Sequence, residues 1–89
     1  MDTAIAGTME SMDCMVTVTE APCGSGIAIE IEGSNVKRFR AAMEKTVRET
    51  LASLGAGDIA VKVDDHGALD VTLAARVETA VKRLWRAKA

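Results

Sequence analysis

Aromatic side chains are nearly missing: Phe39 and Trp85 are the only ones, and there is no tyrosine. A surface that binds single strands of nucleic acid stacks bases on such rings, and two rings do not make one. The charge balance excludes duplex binding too, because 13 acidic against 11 basic residues leave a net charge of −2 and no cationic excess to neutralise phosphates. One histidine and two cysteines without a CxxC pair fall short of a four-ligand zinc site, so no metal ligand set is assigned. Cys14 and Cys23 read as reduced thiols, buried or idle, as is usual in a cytoplasmic domain. The leader "MDTAIAGTMES" has neither the basic region nor the apolar run of a secretion signal. No stretch reaches the ~20 apolar residues of a membrane helix. A cytoplasmic protein without a membrane partner is expected.

What is present describes one folded domain. At 89 residues, 48% apolar and 27% charged, the chain is long enough for a single modest core and too short for two. In "CMVTVTE", Val16 and Val18 alternate with Thr17 and Thr19, the pattern of a half-buried strand. "APCGSG" is a turn by composition, and "IAIEIE" resumes the alternation with Ile27, Ile29 and Ile31 on one face. The two runs read as an antiparallel hairpin. Val36, Phe39, Met43, Val47, Leu51 and Leu54 then recur at three- and four-residue spacings, which predicts a long amphipathic helix capped by Ser34 or Asn35 and stopped at Gly55. Ile59, Val61 and Val63 alternate in a third strand closed by "DDHG". Asp70 opens a second helix with Leu73, Val77, Val81 and Leu84 as its buried stripe.

The order is therefore ββαβα, and the economical architecture is a small two-layer α+β domain, a three-stranded sheet with both helices on one face. Residues 1–12 offer nothing to bury and are expected to form a flexible arm ahead of a domain spanning 13–87.

Candidate chemistry is thin. His66 beside Asp64 and Asp65 is read as turn chemistry closed by Gly67. A triad of Ser11, His66 and an aspartate exists in the inventory, but no spacing requires those residues to meet. Neither a Gly-x-Ser-x-Gly elbow nor a phosphate-cradling glycine loop is present, so no catalytic residue is assigned. Ser11, in "GTMESMD", stands among acidic residues with no base in the heptapeptide. Such a serine cannot activate itself, but another enzyme can modify it if the hydroxyl is exposed, and Glu10 and Asp13 would suit a basic partner surface.

"AGTMESMD", followed by strands, a helix and "VKVDDHGALDVTLAARVETAV", resembles the gamma subunit, or acyl carrier protein, of bacterial citrate lyase, from about Ala6 to about Leu84. The family pattern usually has glycine where this chain has Met12, which restricts the backbone but removes no reacting atom. It commonly has lysine where His66 stands. The resemblance implies that Ser11 carries 2'-(5''-phosphoribosyl)-3'-dephospho-coenzyme A through a phosphodiester, attached by a prosthetic-group transferase. It implies two large partners: an alpha subunit that exchanges acetyl for citryl on the terminal thiol, and a beta subunit that cleaves citryl to oxaloacetate. This chain would then be a non-catalytic carrier in citrate fermentation, acting on citrate or a relative such as citramalate. The carrier of malonate decarboxylase, with the same prosthetic group, is the neighbouring alternative. From another class, the alternative is a small adaptor whose serine is unmodified and whose Trp85 and basic C-terminal helix dock a partner.

Overall fold

A computed structural model describes residues 2–33 and 36–88. The elements run β1 (Thr3–Gly7), β2 (Cys14–Glu20), β3 (Ile27–Gly33), α1 (Val36–Leu54), β4 (Ile59–Asp65) and α2 (Asp70–Lys88). The α+β class and both helices stand as expected, but the order is βββαβα and the sheet has four strands, arranged β1-β2-β4-β3.

The additional strand lies inside the segment expected as a flexible arm. Thr3–Gly7 pairs antiparallel with β2, Thr3 opposite Thr19 and Gly7 opposite Met15, so the division into an arm at 1–12 and a domain at 13–87 does not hold for these residues. The physical reason is an inverted hydropathy pattern. Ala6 is buried, Ala4 packs partly against the core, and the larger Ile5 points outward at 49% exposure. Small side chains face in because α2 packs closely on β1 and β2. Arg83 on α2 secures the edge by donating to the Ile5 carbonyl at 2.8 Å.

The expected β2–β3 hairpin is also replaced. β4 lies between the two, antiparallel to β2 and parallel to β3. A parallel pair needs a crossover, and α1 is that crossover. The β2–β3 connection bridges the end of β4 through Ala21 N–H to the Asp58 carbonyl (3.0 Å) and Ile59 N–H to the Gly26 carbonyl (3.2 Å).

Cys14, Val16 and Val18 of β2 and Ile59, Val61 and Val63 of β4 are buried on one face, under helices. α1 contributes Val36, Met43, Val47 and Leu51 to that core, and α2 contributes Leu73, Val77, Ala80, Val81 and Leu84. Phe39, expected in the α1 stripe, is 46% exposed, with the Arg38 guanidinium 5.2 Å from its ring centre. On the outer face of α1 the ion pair is Arg40 with Glu44, 3.8 Å. Helix α1 stops before Gly55, whose φ is 72°. The expected caps Ser34 and Asn35 lie outside the described residues. Asp70 stands in the first turn of α2, with Arg86 and Lys88 in the last, each sign on its favourable end of the helix dipole. No helix among the described residues is long and apolar enough to cross a membrane.

Candidate functional site

Ser11 lies in the turn that joins β1 to β2, and it is exposed. The base of the turn is Gly7, φ 102°, where a Cβ would collide with the Cys14 carbonyl; only glycine lets the two strands approach this closely. Thr8 N–H donates to that same carbonyl at 3.2 Å, and Asp13 N–H donates to the Glu10 carbonyl at 3.2 Å. Met12, directly after the serine, has φ 65°. That left-handed conformation favours glycine, so the methionine bears a backbone cost at this place.

Asp13 organises the turn. Its carboxylate accepts from Arg76 Nε (3.0 Å) and Nη2 (2.7 Å), from the Thr8 hydroxyl (2.7 Å) and from the Cys14 N–H (2.7 Å). The forked guanidinium contact is the strong, directional kind of ion pair. The Arg76 guanidinium, then the Thr8 hydroxyl and the Cys14 amide, hold this carboxyl well below the usual carboxylate range. Its side chain is only 13% exposed. Asp13 is therefore already neutralised from within and offers little field to a basic partner, against expectation; Glu10 is exposed and retains that potential.

A second turn supports the first. His66 N–H donates to the Asp13 carbonyl (2.9 Å), and Met12 N–H donates to the His66 carbonyl (2.7 Å). The structure thus brings Ser11 and His66 to neighbouring turns, but it joins them through backbone. Buried Asp65 closes the second turn by accepting from Gly67 N–H (3.2 Å) and Ala68 N–H (3.0 Å). This is the turn role expected of "DDHG".

The bonds that fix the serine turn run through Thr8, Asp13, Arg76 and backbone, and none uses the Ser11 hydroxyl. Cys14, close by, is no rival nucleophile: burial first, then the Asp13 and Asp65 charges, pushes its thiol up to about 11, so it stays protonated near neutrality. Both cysteines are free, Cys14 buried and Cys23 exposed. Of the other serines, Ser53 donates to the Thr50 carbonyl inside α1 at 2.8 Å. Ser25 is exposed in the β2–β3 connection. Two exposed methionines, Met9 and Met12, flank Ser11, and Leu69 is exposed beyond the second turn.

Sequence reasoning singled out Ser11 but missed Thr8 and Arg76. Thr8 stands in the quoted motif, three residues before the serine. Arg76 had no local signal, since its partner lies 63 residues away.

Residues 1–84 match the model of an acyl carrier family described as the malonate decarboxylase delta subunit. The chain is 43% identical over 83 residues to a citrate lyase acyl carrier protein of Streptococcus uberis, covering 93% of this chain and 80% of that one. It is 49% identical over 80 residues to a citrate lyase acyl carrier protein of Klebsiella pneumoniae, covering 90% and 81%. A citrate lyase acyl carrier protein of Halothermothrix orenii is 40% identical over 81 residues, covering 91% and 84%. With a turn built around one exposed serine and likeness running nearly end to end, the chain belongs to the family of the citrate lyase acyl carrier proteins and the malonate decarboxylase delta subunit.

Proposed function

We propose that this protein is the acyl carrier subunit of a cytoplasmic citrate lyase, holding phosphoribosyl-dephospho-coenzyme A as a phosphodiester on Ser11. The observation that carries the reading is the Ser11 turn: Thr8, Asp13 and Arg76 are committed to holding the backbone around the serine, while its hydroxyl stands exposed. Such a site fits a phosphodiester anchor, which requires a reachable hydroxyl and no burial. When bound, the group supplies a thiol on a long arm, so that an acyl chain is carried as a thioester, whose carbonyl stabilises a developing enolate better than a carboxylate does.

The chain's own part is mechanical. The sheet and α2 fix the point from which the arm extends, and a tethered arm makes visits to successive partner sites intramolecular, raising the effective concentration at each. The partners in this reading are the transferase that loads Ser11, an acyl-exchanging alpha subunit and a cleaving beta subunit. A catalytic site acting on Ser11 has to lie over Met9 and Met12, and both are exposed apolar side chains suited to such a contact.

A second reading follows from the family model's description: a carrier of malonyl groups for malonate decarboxylase. Reconstitution with the large subunits of each complex in turn separates the two.

Intact mass and peptide mapping test the anchor. Chain co-produced with the loading enzymes should gain the mass of the group on the peptide containing Ser11, and Ser11→Ala should gain none while melting within about 0.5 kcal/mol of wild type, as surface substitutions do. Label on Ser25, Ser34 or Ser53, or turnover retained by Ser11→Ala, would refute it. An unmodified serine under these conditions would favour the adaptor alternative.

A further inference from the structure

We propose that Asp13 and Arg76 form a clasp that presents Ser11 to the enzyme that modifies it, a positioning role that rests on the reading of Ser11 as the anchor. Beyond its bonds to the adjoining Cys14, the turn from Thr8 to Asp13 has two attachments to more distant parts of the fold. One is the forked ion pair from Arg76 of α2, at 3.0 and 2.7 Å. The other is the pair of backbone bonds exchanged with His66, at 2.7 and 2.9 Å. The first acts on Asp13 and the second on Met12 and Asp13, the two residues that follow the serine. On the other side, Glu10 N–H donates to the Thr8 hydroxyl at 3.2 Å, and that hydroxyl donates in turn to Asp13 at 2.7 Å. Ser11 is thereby held from both flanks through one carboxylate.

The chemistry makes such fixation useful. In the attachment step the bond from Ser11 Oγ forms to the ester phosphorus of a polyphosphate-activated coenzyme derivative, as the bond from that phosphorus to the bridging oxygen breaks and the remaining phosphate chain leaves. The hydroxyl proton passes to a base of the modifying enzyme. Phosphoryl transfer of this kind depends on an in-line approach of the attacking oxygen, and displacement by about 1 Å is enough to cost about 100-fold. A loop free to wander would have to be ordered at each encounter. The clasp orders it beforehand, and it also maintains Met12 at φ 65°, a conformation that persists where the surroundings over-determine it.

A docking role for the Asp13 charge makes opposite predictions, and kinetics of attachment tell them apart. The probe is the polyphosphate-activated form of the coenzyme-derived group, presented with the modifying transferase to wild type, Asp13→Asn, Arg76→Gln and the double variant. The clasp expects each single variant to lose about 10- to 100-fold, chiefly in kcat at saturating carrier and independently of salt. The double variant should be no worse than either single, because both break one interaction. Amide exchange, read without any modification, should quicken at Met12 and His66 in each variant while Val61 stays protected. Thr8→Val, which keeps the ion pair, should act in the same direction but more weakly; it serves if a charge variant fails to fold.

The proposal is overturned if Asp13→Asn raises KM alone while Arg76→Gln lowers it, as a docking charge would require. It is equally overturned if the variants match wild type in exchange and in rate. Wild type that takes up no group removes the anchor reading and the presentation role with it, whereas modified wild type with unaffected variants removes the clasp alone.

Discussion

Two serine-bearing loops stand at opposite ends of β2, and they are built on different principles. The loop after β2, from Ala21 to Gly26, takes its shape from glycine: Gly24 and Gly26 have φ of 88° and 77°, with open space around both. Ser25 N–H closes it on the Pro22 carbonyl at 3.0 Å, and Asp58 accepts from Gly26 N–H at 2.8 Å. The loop before β2 reaches its left-handed position with a methionine and depends on an arginine from α2. Both loops receive long-range hydrogen bonds, but one takes its left-handed positions from glycine, whereas the other holds a methionine there and is tied down by an ion pair. Exposure of a serine hydroxyl therefore does not distinguish them, while commitment of the surroundings does.

The largest expected difference lies at the two glycines that serve these loops. Gly7→Ala drives a methyl group into the Cys14 carbonyl at φ 102°, and a loss of about 3 kcal/mol or more is expected, from overlap with backbone that cannot yield plus the left-handed cost. Gly24→Ala meets no atom within 4 Å and should lose only about 1 kcal/mol through its φ. Denaturant titration measures both. Equal losses would mean that the β1–β2 turn relaxes freely and is not rigidly closed.

The same contrast explains what could be read in the sequence. Both helices, the inward faces of β2 and β4, and the turns at "APCGSG" and "DDHG" were legible because alternation, helical spacing and glycine are local signals. β1 was illegible since its core-facing residues are Ala4 and Ala6 while Ile5 faces out, which inverts the expected pattern. The placing of β4 between β2 and β3 was hidden for another reason: two alternating runs around a turn describe a hairpin as well as two strands parted by a third. At the site, Ser11 stood out through a motif, but Arg76 did not, because an ion pair across 63 residues leaves no trace in spacing.

Acid titration compares the two aspartates that shape these loops. Both carboxyls are held below their ordinary value, Asp13 by Arg76 first and Asp58 by the backbone amides of Gly26 and Gly24. A carboxyl depressed in the folded state adds stability that is fully present above its unfolded value, about 4, and is lost as pH falls toward the folded value. Wild type should thus exceed Asp13→Asn in stability at pH 6, with the gap narrowing below about pH 4. Asp58→Asn should show the same trend with a smaller gap, because its donors are uncharged. Urea titrations from about pH 6 to about pH 2 follow the gap. A constant gap at Asp13 would mean that the ion pair does not form in solution.

Met12→Gly is the smallest and most discriminating change. A non-glycine residue at φ 65° bears a left-handed cost of about 1 to 2 kcal/mol, and glycine relieves it. Glycine also loosens the unfolded chain, which opposes the gain by about 0.4 to 1 kcal/mol. Met12 is 67% exposed, so little packing is lost. The net expectation is a stabilisation of about 0.5 kcal/mol, with Met12 N–H still bonded to His66. The corresponding change in the other loop, Gly26→Met, should destabilise by about 1 kcal/mol, because its φ of 77° then bears the left-handed cost of a side chain. Opposite signs at the two sites would uphold the contrast between an enforced loop and a permissive one. A loss of stability in Met12→Gly would show instead that the methionine side chain contributes contacts outweighing its strained backbone.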